Sequence, residues 1–266
     1  MLRRDLLSLL TAFSLRADDP ASAVLVDIRT RRTISSRNLT AAPEPPGSTI
    51  KPFVLAGLLK RNLLRPQEAW PCPGKLTIAG RSFTCSHPPL SSPVDVRTAL
   101  AYSCNNYVAH MAERYHPGEL AADLQSAGFS HVTPAQTLDA TRLQALGEQG
   151  IEVTVTELAL AYASLAASAQ PAIRAGLEDA VAYGTAQLAA VPGLQVAGKT
   201  GSVRTPSGAR IAWFAGFTSE VAVAVMLQGR SGGSDAAPLA SRLVAQASRP
   251  VRLLQGDRCF INPEIP

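Results

Sequence analysis

Strand-like apolar runs stand at both ends of this chain, and a long, mostly helical stretch separates them. Ala23 to Ile28 (AVLVDI) reads as a buried strand, with a second near Thr33 to Ser35 after a turn at Arg29 to Arg31. Comparable runs return only at Gln195–Thr200, Ile211–Thr218 and Val221–Gln228, the first two joined across a TPSG turn at 205–208. A buried strand must pair its backbone N–H and C=O groups, so the sheet has to be assembled from both termini. The expected class is α+β: an antiparallel sheet built from both chain ends, flanked by helices, with an inserted mainly helical lobe. Its sheet parts are expected at about 20–47 and 194–250 and the lobe at about 52–193, within a single domain over 18–266.

Within the lobe, helices are expected over Asp95–Tyr102 and Asn106–Tyr115, on either side of the turn Ser103-Cys104-Asn105. Others are expected over Gly118–Ala127, Thr156–Ser168 (with Thr156 as its cap) and Leu177–Ala190. A closing helix over Asp235–Ser248 begins with its own acid. No internal repeat or low-complexity linker interrupts the chain.

Composition narrows the class. Apolar residues make up 46% of 266, ample for a core, and the charged fraction of 17% argues against long disordered stretches. The net charge is +5, but the basic residues are scattered and aromatics are only 5%, so no nucleic-acid surface is expected. A mildly basic surface suits an anionic cell-wall polymer or membrane face. Residues 1–17 read as an export signal: Arg3-Arg4, then an apolar run from Leu6 to Leu15 too short to span a bilayer, then Ala17. The expected place of action is therefore a bacterial periplasm or cell envelope.

Cysteines 72, 85, 104 and 259 follow no metal spacing, and no metal or other cofactor is expected. Cys72 and Cys85 flank a hairpin-like segment with a Gly turn, and in an oxidising compartment a disulfide between them would contribute ~3 kcal/mol. The alternatives are two buried thiols, or a zinc site that adds His87. Cys104 is expected to be packed in its turn, and Cys259 has no evident partner.

Three short motifs carry chemistry. Of 25 basic residues only Lys51, Lys60, Lys75 and Lys199 are lysine, and two of these fall in motifs. Arginine stays charged, whereas a desolvated lysine can lose its proton and act as a base. In Ser48-Thr49-Ile50-Lys51 the i, i+3 spacing puts amine and hydroxyl on one helical face, so Lys51 can activate Ser48. Pro-Pro-Gly before Ser48 forces a sharp turn and places its hydroxyl at a helix N-terminus, which favours negative charge. Ser103 can relay a proton, and the Asn105 carboxamide can hold a substrate amide. In Lys199-Thr200-Gly201-Ser202, on an expected edge strand, Lys199 supplies positive charge and Thr200 a hydroxyl for a carboxylate. Gly201 would admit a peptide-like substrate, and the N–H groups of Ser202 and Ser48 would form an oxyanion hole. His87, His110, His116 and His131 have no evident acid partner, which argues against a Ser-His-Asp triad.

The order SxxK, SxN, KTG resembles the active-site set of penicillin-interacting serine acyltransferases. PPGSTIKPF looks like the PGSTFKPF block of the penicillin-binding protein transpeptidase domain, and VDVRTALAYSCNNYVAHMA like its helix–SxN–helix block. LGEQGIEVTVTELALAYASLA, AYGTAQ and VAGKTGSVRTPSGARIAWFAGF look like three further blocks, so the likeness spans nearly all of 22–248. Two departures stand out: KTGS for KTGT, and GEQG, one residue longer than GQG.

The resemblance implies a serine β-lactamase/D,D-peptidase-type fold with the site at the junction of sheet and lobe. It implies acylation of Ser48 by D-Ala-D-Ala stem peptides of peptidoglycan and by β-lactams as covalent inhibitors. The expected activity is D,D-transpeptidase or D,D-carboxypeptidase. Two other readings stay open: a serine β-lactamase, disfavoured because no ExxLN-like stretch follows Ser103, and a penicillin-binding sensor or partner of another cell-wall enzyme without turnover.

Overall fold

A computed structural model of the chain describes residues 21–39, 42–85, 87–205 and 207–248. The export signal expected over 1–17, and Cys259, lie outside the described residues.

Strands β1 (Ser22–Asp27) and β2 (Thr33–Arg37) form an antiparallel pair. A short 3-10 turn over Gly47–Ile50 runs into α1 (Lys51–Lys60). The hairpin β3 (Lys75–Ile78) and β4 (Arg81–Thr84) precedes α2 (Val96–Ala101), α3 (Asn105–Ala112) and α4 (Glu119–Ser126). Next come β5 (His131–Val132), α5 (Leu138–Ala145), and β6 (Ile151–Glu152), which pairs with β5. Helices α6 (Val155–Ser168) and α7 (Pro171–Ala182) return the chain to β7 (Ala197–Arg204), β8 (Arg210–Phe217) and β9 (Val221–Gln228). Helix α8 (Ala237–Ala247) follows a π-helical turn over Gly232–Ala236.

The five-stranded sheet has the order β2-β1-β9-β8-β7 and is antiparallel throughout. Strand β1 joins the C-terminal strands directly, with Val24 opposite Ala224 in β9. The sheet is built from both chain ends, and β7 is left at an edge.

The continuous apolar run in β9 follows from burial on both faces. Side chains alternate across a sheet, so Ala222, Ala224 and Met226 join Val24, Val26 and Trp213 in a core shared with α1, α2, α3 and α6. Val221, Val223 and Val225 face the other way, with Leu25 and Phe214, against Leu239, Leu243 and Val244 of α8.

Helix α3 ends at Ala112 rather than Tyr115 and α8 begins at Ala237 rather than Asp235, and two further helices depart from the sequence reading for identifiable reasons. Helix α6 is capped by Thr154, not Thr156: its hydroxyl accepts from Glu157 N, and Glu157 accepts in return from Thr154 N. Such a reciprocal box contributes ~1 kcal/mol. The helix expected over Leu177–Ala190 runs instead from Pro171 to Ala182, because Pro171 suits the first helical turn and Gly184 must pack closely against the Ala101 carbonyl. Apolar periodicity located both helices but not the residues that cap them.

Candidate active site

Three elements meet at one cleft: the turn before α1, the turn between α2 and α3, and the edge strand β7. The first is held by its backbone. Pro46 precedes Gly47, whose φ of +53° lies in the left-handed region where glycine is favoured. Gly47 N donates to Gly147 O at 3.0 Å, Trp213 Nε1 to Pro45 O at 2.9 Å, and Tyr162 Oη to Thr49 O at 2.8 Å. An acceptor from the loop after α5 and buried donors from β8 and α6 thus fix the backbone around Ser48, whose side chain lines the cleft.

Lys51 is fully buried at the start of α1. Its Nζ lies 2.8 Å from Ser103 O, 3.3 Å from Ser103 Oγ and 2.5 Å from Asn105 Oδ1. The sequence reading aimed this amine at Ser48. Its three hydrogen bonds among the described residues go instead to the turn between α2 and α3, which the tertiary fold brings up against α1. Burial pushes the Lys51 amine down from 10.5 to about 8, opposed by Cys104, Cys85 and Glu148. Ser103 has a φ of +57°, a left-handed conformation unusual for serine, and Asn105 Nδ2 donates to Thr84 O at 3.1 Å, tying the turn to β4.

Lys199 is also fully buried, and its Nζ donates to Thr200 O at 2.9 Å. Burial and the neighbouring charge of Lys51 both push it well below the usual lysine range. The repulsion between the two amines thus acts on Lys199. Neither amine lines the cleft, whereas Thr200 and Ser202 do. Thr200 Oγ1 pairs with Thr185 Oγ1 at 3.0 Å, which offers two adjacent hydroxyls to a substrate.

A Cβ on Gly201 would stand 2.6 Å from Pro46 O and 3.0 Å from Thr49 Cγ2, so the missing side chain makes room for the Ser48 turn. A Cβ on Gly47 would come 3.3 Å from Ser202 N, so the Ser202 amide borders the Ser48 turn. The Ser202 hydroxyl is engaged, accepting from Gly232 N at 3.0 Å.

The cleft encloses about 550 Å³. Its wall includes residues the sequence did not single out: Tyr102, Tyr183, Thr185 and Ser231. Tyr102 and Tyr183 stack edge-tilted, 5.8 Å between ring centroids, and Tyr183 is exposed. The AYGTAQ segment was the one available signal for Tyr183 and Thr185.

Cys72 and Cys85 do come together, with Sγ atoms 3.6 Å apart and no bond between them. The pairing expected from two cysteines leaves out a third: Cys104, buried between Ser103 and Asn105, lies 3.7 Å from Cys85 and 3.5 Å from Cys72.

The sequence profile described as "Penicillin binding protein transpeptidase domain" matches residues 21–245. No curated protein sequence matches the chain significantly. Among solved structures, a peptidoglycan glycosyltransferase from Burkholderia ambifaria is similar at 23% identity and a TM-score of 0.74, covering 85% of this chain and 88% of that one. The apo TP domain of Burkholderia pseudomallei penicillin-binding protein 3 is similar at 23% identity and a TM-score of 0.74, covering 88% of each chain. A Helicobacter pylori penicillin-binding protein solved in complex with MreC is similar at 15% identity and a TM-score of 0.73, covering 85% of this chain and 59% of that one. These likenesses extend over both sheet and lobe and establish a shared fold.

Proposed function

This chain belongs to the family of penicillin-binding protein transpeptidase domains, and from that premise we propose that it is a serine D,D-transpeptidase or D,D-carboxypeptidase. Its substrates are D-Ala-D-Ala stem peptides of peptidoglycan, in the cell envelope after export, and β-lactams acylate the same serine. The observation that carries this reading is the buried Lys51 amine, lowered to about 8 and bonded to Ser103 and Asn105 at the foot of a cleft lined by Ser48.

The chemistry follows from the partners. Ser103 O and Asn105 Oδ1 only accept, so a neutral Lys51 donates its two hydrogens to them and leaves its lone pair for the Ser103 hydroxyl, 3.3 Å away. As Ser48 Oγ attacks the penultimate D-Ala carbonyl, its proton passes to Lys51 by way of the Ser103 hydroxyl. The N–H groups of Ser48 and Ser202 hold the oxyanion. Ser103 then gives its proton to the leaving D-Ala amine and regains one from the protonated Lys51, and the C–N bond breaks to leave an acyl-serine with Lys51 neutral again. The Thr200–Thr185 hydroxyl pair receives the substrate carboxylate, with the Lys199 amine behind it holding the Thr200 backbone carbonyl. An acceptor amine or water then releases the acyl group.

Intact-mass measurement with benzylpenicillin over time, beside Ser48→Ala, tests this. A long-lived adduct missing from Ser48→Ala is expected. Rapid drug consumption with only a transient adduct would make the chain a β-lactamase. No adduct and no consumption would defeat the enzymatic reading.

A further inference from the structure

Four side chains of metal-ligand type converge beneath the Ser103–Asn105 turn: Cys72 before β3, Cys85 and His87 after β4, and Cys104 at the start of α3. Their ligand atoms all lie within 4.8 Å of one another. We propose that Cys72, Cys85, His87 and Cys104 form a structural Zn²⁺ site that ties the β3–β4 hairpin to the Ser103–Asn105 turn.

The sulfur spacing fits a tetrahedron. Zinc–sulfur bonds of about 2.3 Å put the sulfurs of a tetrahedral site about 3.8 Å apart. The three distances here are 3.5, 3.6 and 3.7 Å. A disulfide needs only two cysteines, about 2.05 Å apart, and would leave the third thiol buried beside it.

Each sulfur also has an N–H directed at it. Cys72 Sγ accepts from Gly74 N at 3.4 Å, Cys85 Sγ from Asn106 Nδ2 at 3.3 Å and Cys104 Sγ from Tyr107 N at 3.5 Å. Donors placed this way stabilise negative charge on thiolates and orient them as ligands.

His87 completes the set by its tautomer. Its Nδ1 lies 2.8 Å from Pro88 O. A carbonyl only accepts, so Nδ1 carries the proton and Nε2 keeps a free lone pair. Nε2 is buried and has no hydrogen-bond partner among the described residues, which is costly for a polar atom unless an ion sits there. Three thiolates and an imidazole are soft ligands suited to tetrahedral zinc, and a closed four-ligand set serves structure rather than water activation.

The placement gives the ion a consequence for the cleft. Cys104 sits between the two residues that hold Lys51, and Thr84, next to Cys85, accepts from Asn105. His87 itself lines the cleft. Zinc would hold Ser103 in its left-handed conformation from below and fix one wall of the substrate site.

The test is metal analysis and intact mass of the full-length protein as isolated, without added reductant. About one zinc per chain is expected, and cobalt substitution should give thiolate-to-cobalt charge transfer with strong tetrahedral visible bands. His87→Gln, at a partly exposed position, should fold yet bind zinc at least ~10-fold more weakly, and Cys72→Ser should lose the charge-transfer intensity of one sulfur. Zinc removal should lower the melting temperature. Metal-free protein with three reactive thiols, a Cys72–Cys85 disulfide seen as a loss of two hydrogens in the intact mass, or zinc untouched by both substitutions would each overturn the proposal. It does not rest on the acyl-enzyme reading, since Ser48→Ala, inert to penicillin, should bind the metal equally.

Discussion

Gly147 lies directly on Gly47: the Gly47 N–H donates to the Gly147 carbonyl at 3.0 Å, and a Cβ on Gly147 would stand 2.1 Å from Gly47 O. Gly147 also has a φ of +71°. Gly147→Ala therefore forces two backbone segments apart and strains its own conformation, at a cost of about 1–3 kcal/mol. Denaturant unfolding should show that loss. Penicillin acylation should fall as well, because the segment displaced is the turn that carries Ser48. An alanine variant with unchanged stability and acylation would mean that this contact does not set the turn.

Lys51→Arg keeps the positive charge but removes a base that can titrate. Acylation by benzylpenicillin should fall at least ~100-fold, the lower range for loss of general-base catalysis. Circular dichroism must accompany the measurement, since the larger guanidinium has to fit a fully buried site.

The lowered Lys51 value sets a pH dependence. Acylation should rise with pH and level off above about 8 as the amine becomes neutral. Stability carries the same sign. The folded value lies below 10.5, so burial of the charged amine is unfavourable below about 8, and that penalty is relieved as pH rises from about 8 toward 10.5. A pH–rate profile that is flat from 6 to about 9 would remove Lys51 as the base.

Thr200 and Thr185 present paired hydroxyls to the cleft. Thr200→Val should raise KM for a D-Ala-D-Ala peptide about 10- to 100-fold, the effect of losing a hydrogen bond to a charged group. A substrate without the terminal carboxylate should be far less affected. Equal losses for both substrates would show a structural effect instead.

Arg97 holds Asp179 through two hydrogen bonds, joining α2 to the helix that leads to Tyr183 and Thr185. The Arg97 partner lowers the Asp179 carboxyl below 3.8. Asp179→Asn should cost about 1 kcal/mol, because the pair is partly exposed and screened. The difference from wild type should shrink in high salt, and should vanish as pH falls through the folded-state value of Asp179. Calorimetry across those conditions reads it directly.

The sequence and the structure agree where the signal is local or periodic. Val221–Gln228 reads as a strand and the strands at the two chain ends read as one sheet, whereas the pairing of β1 with β9 and the burial of β9 on both faces came from the tertiary structure. The boundary of α7 was misplaced because it depends on Pro171 and on the close packing of Gly184 against α2, and neither leaves an apolar period. Tyr102, Tyr183 and Thr185 reach the cleft through the packing of α2 against α7, which short-range patterns do not encode.

The sequence by itself determined which chemistry was available: a serine and a lysine three residues apart, a hydroxyl and a carboxamide on one turn, and a lysine–threonine pair on an edge strand. Local spacing and residue type suffice for that, because they act within a single turn or strand. Only the tertiary structure decided that Lys51 bonds Ser103 and Asn105 rather than Ser48, that Gly201 makes room for the Ser48 turn, and that a third cysteine joins Cys72 and Cys85. Each of these contacts joins residues distant in the chain, and close packing of elements, not sequence neighbourhood, brings them within a few ångströms.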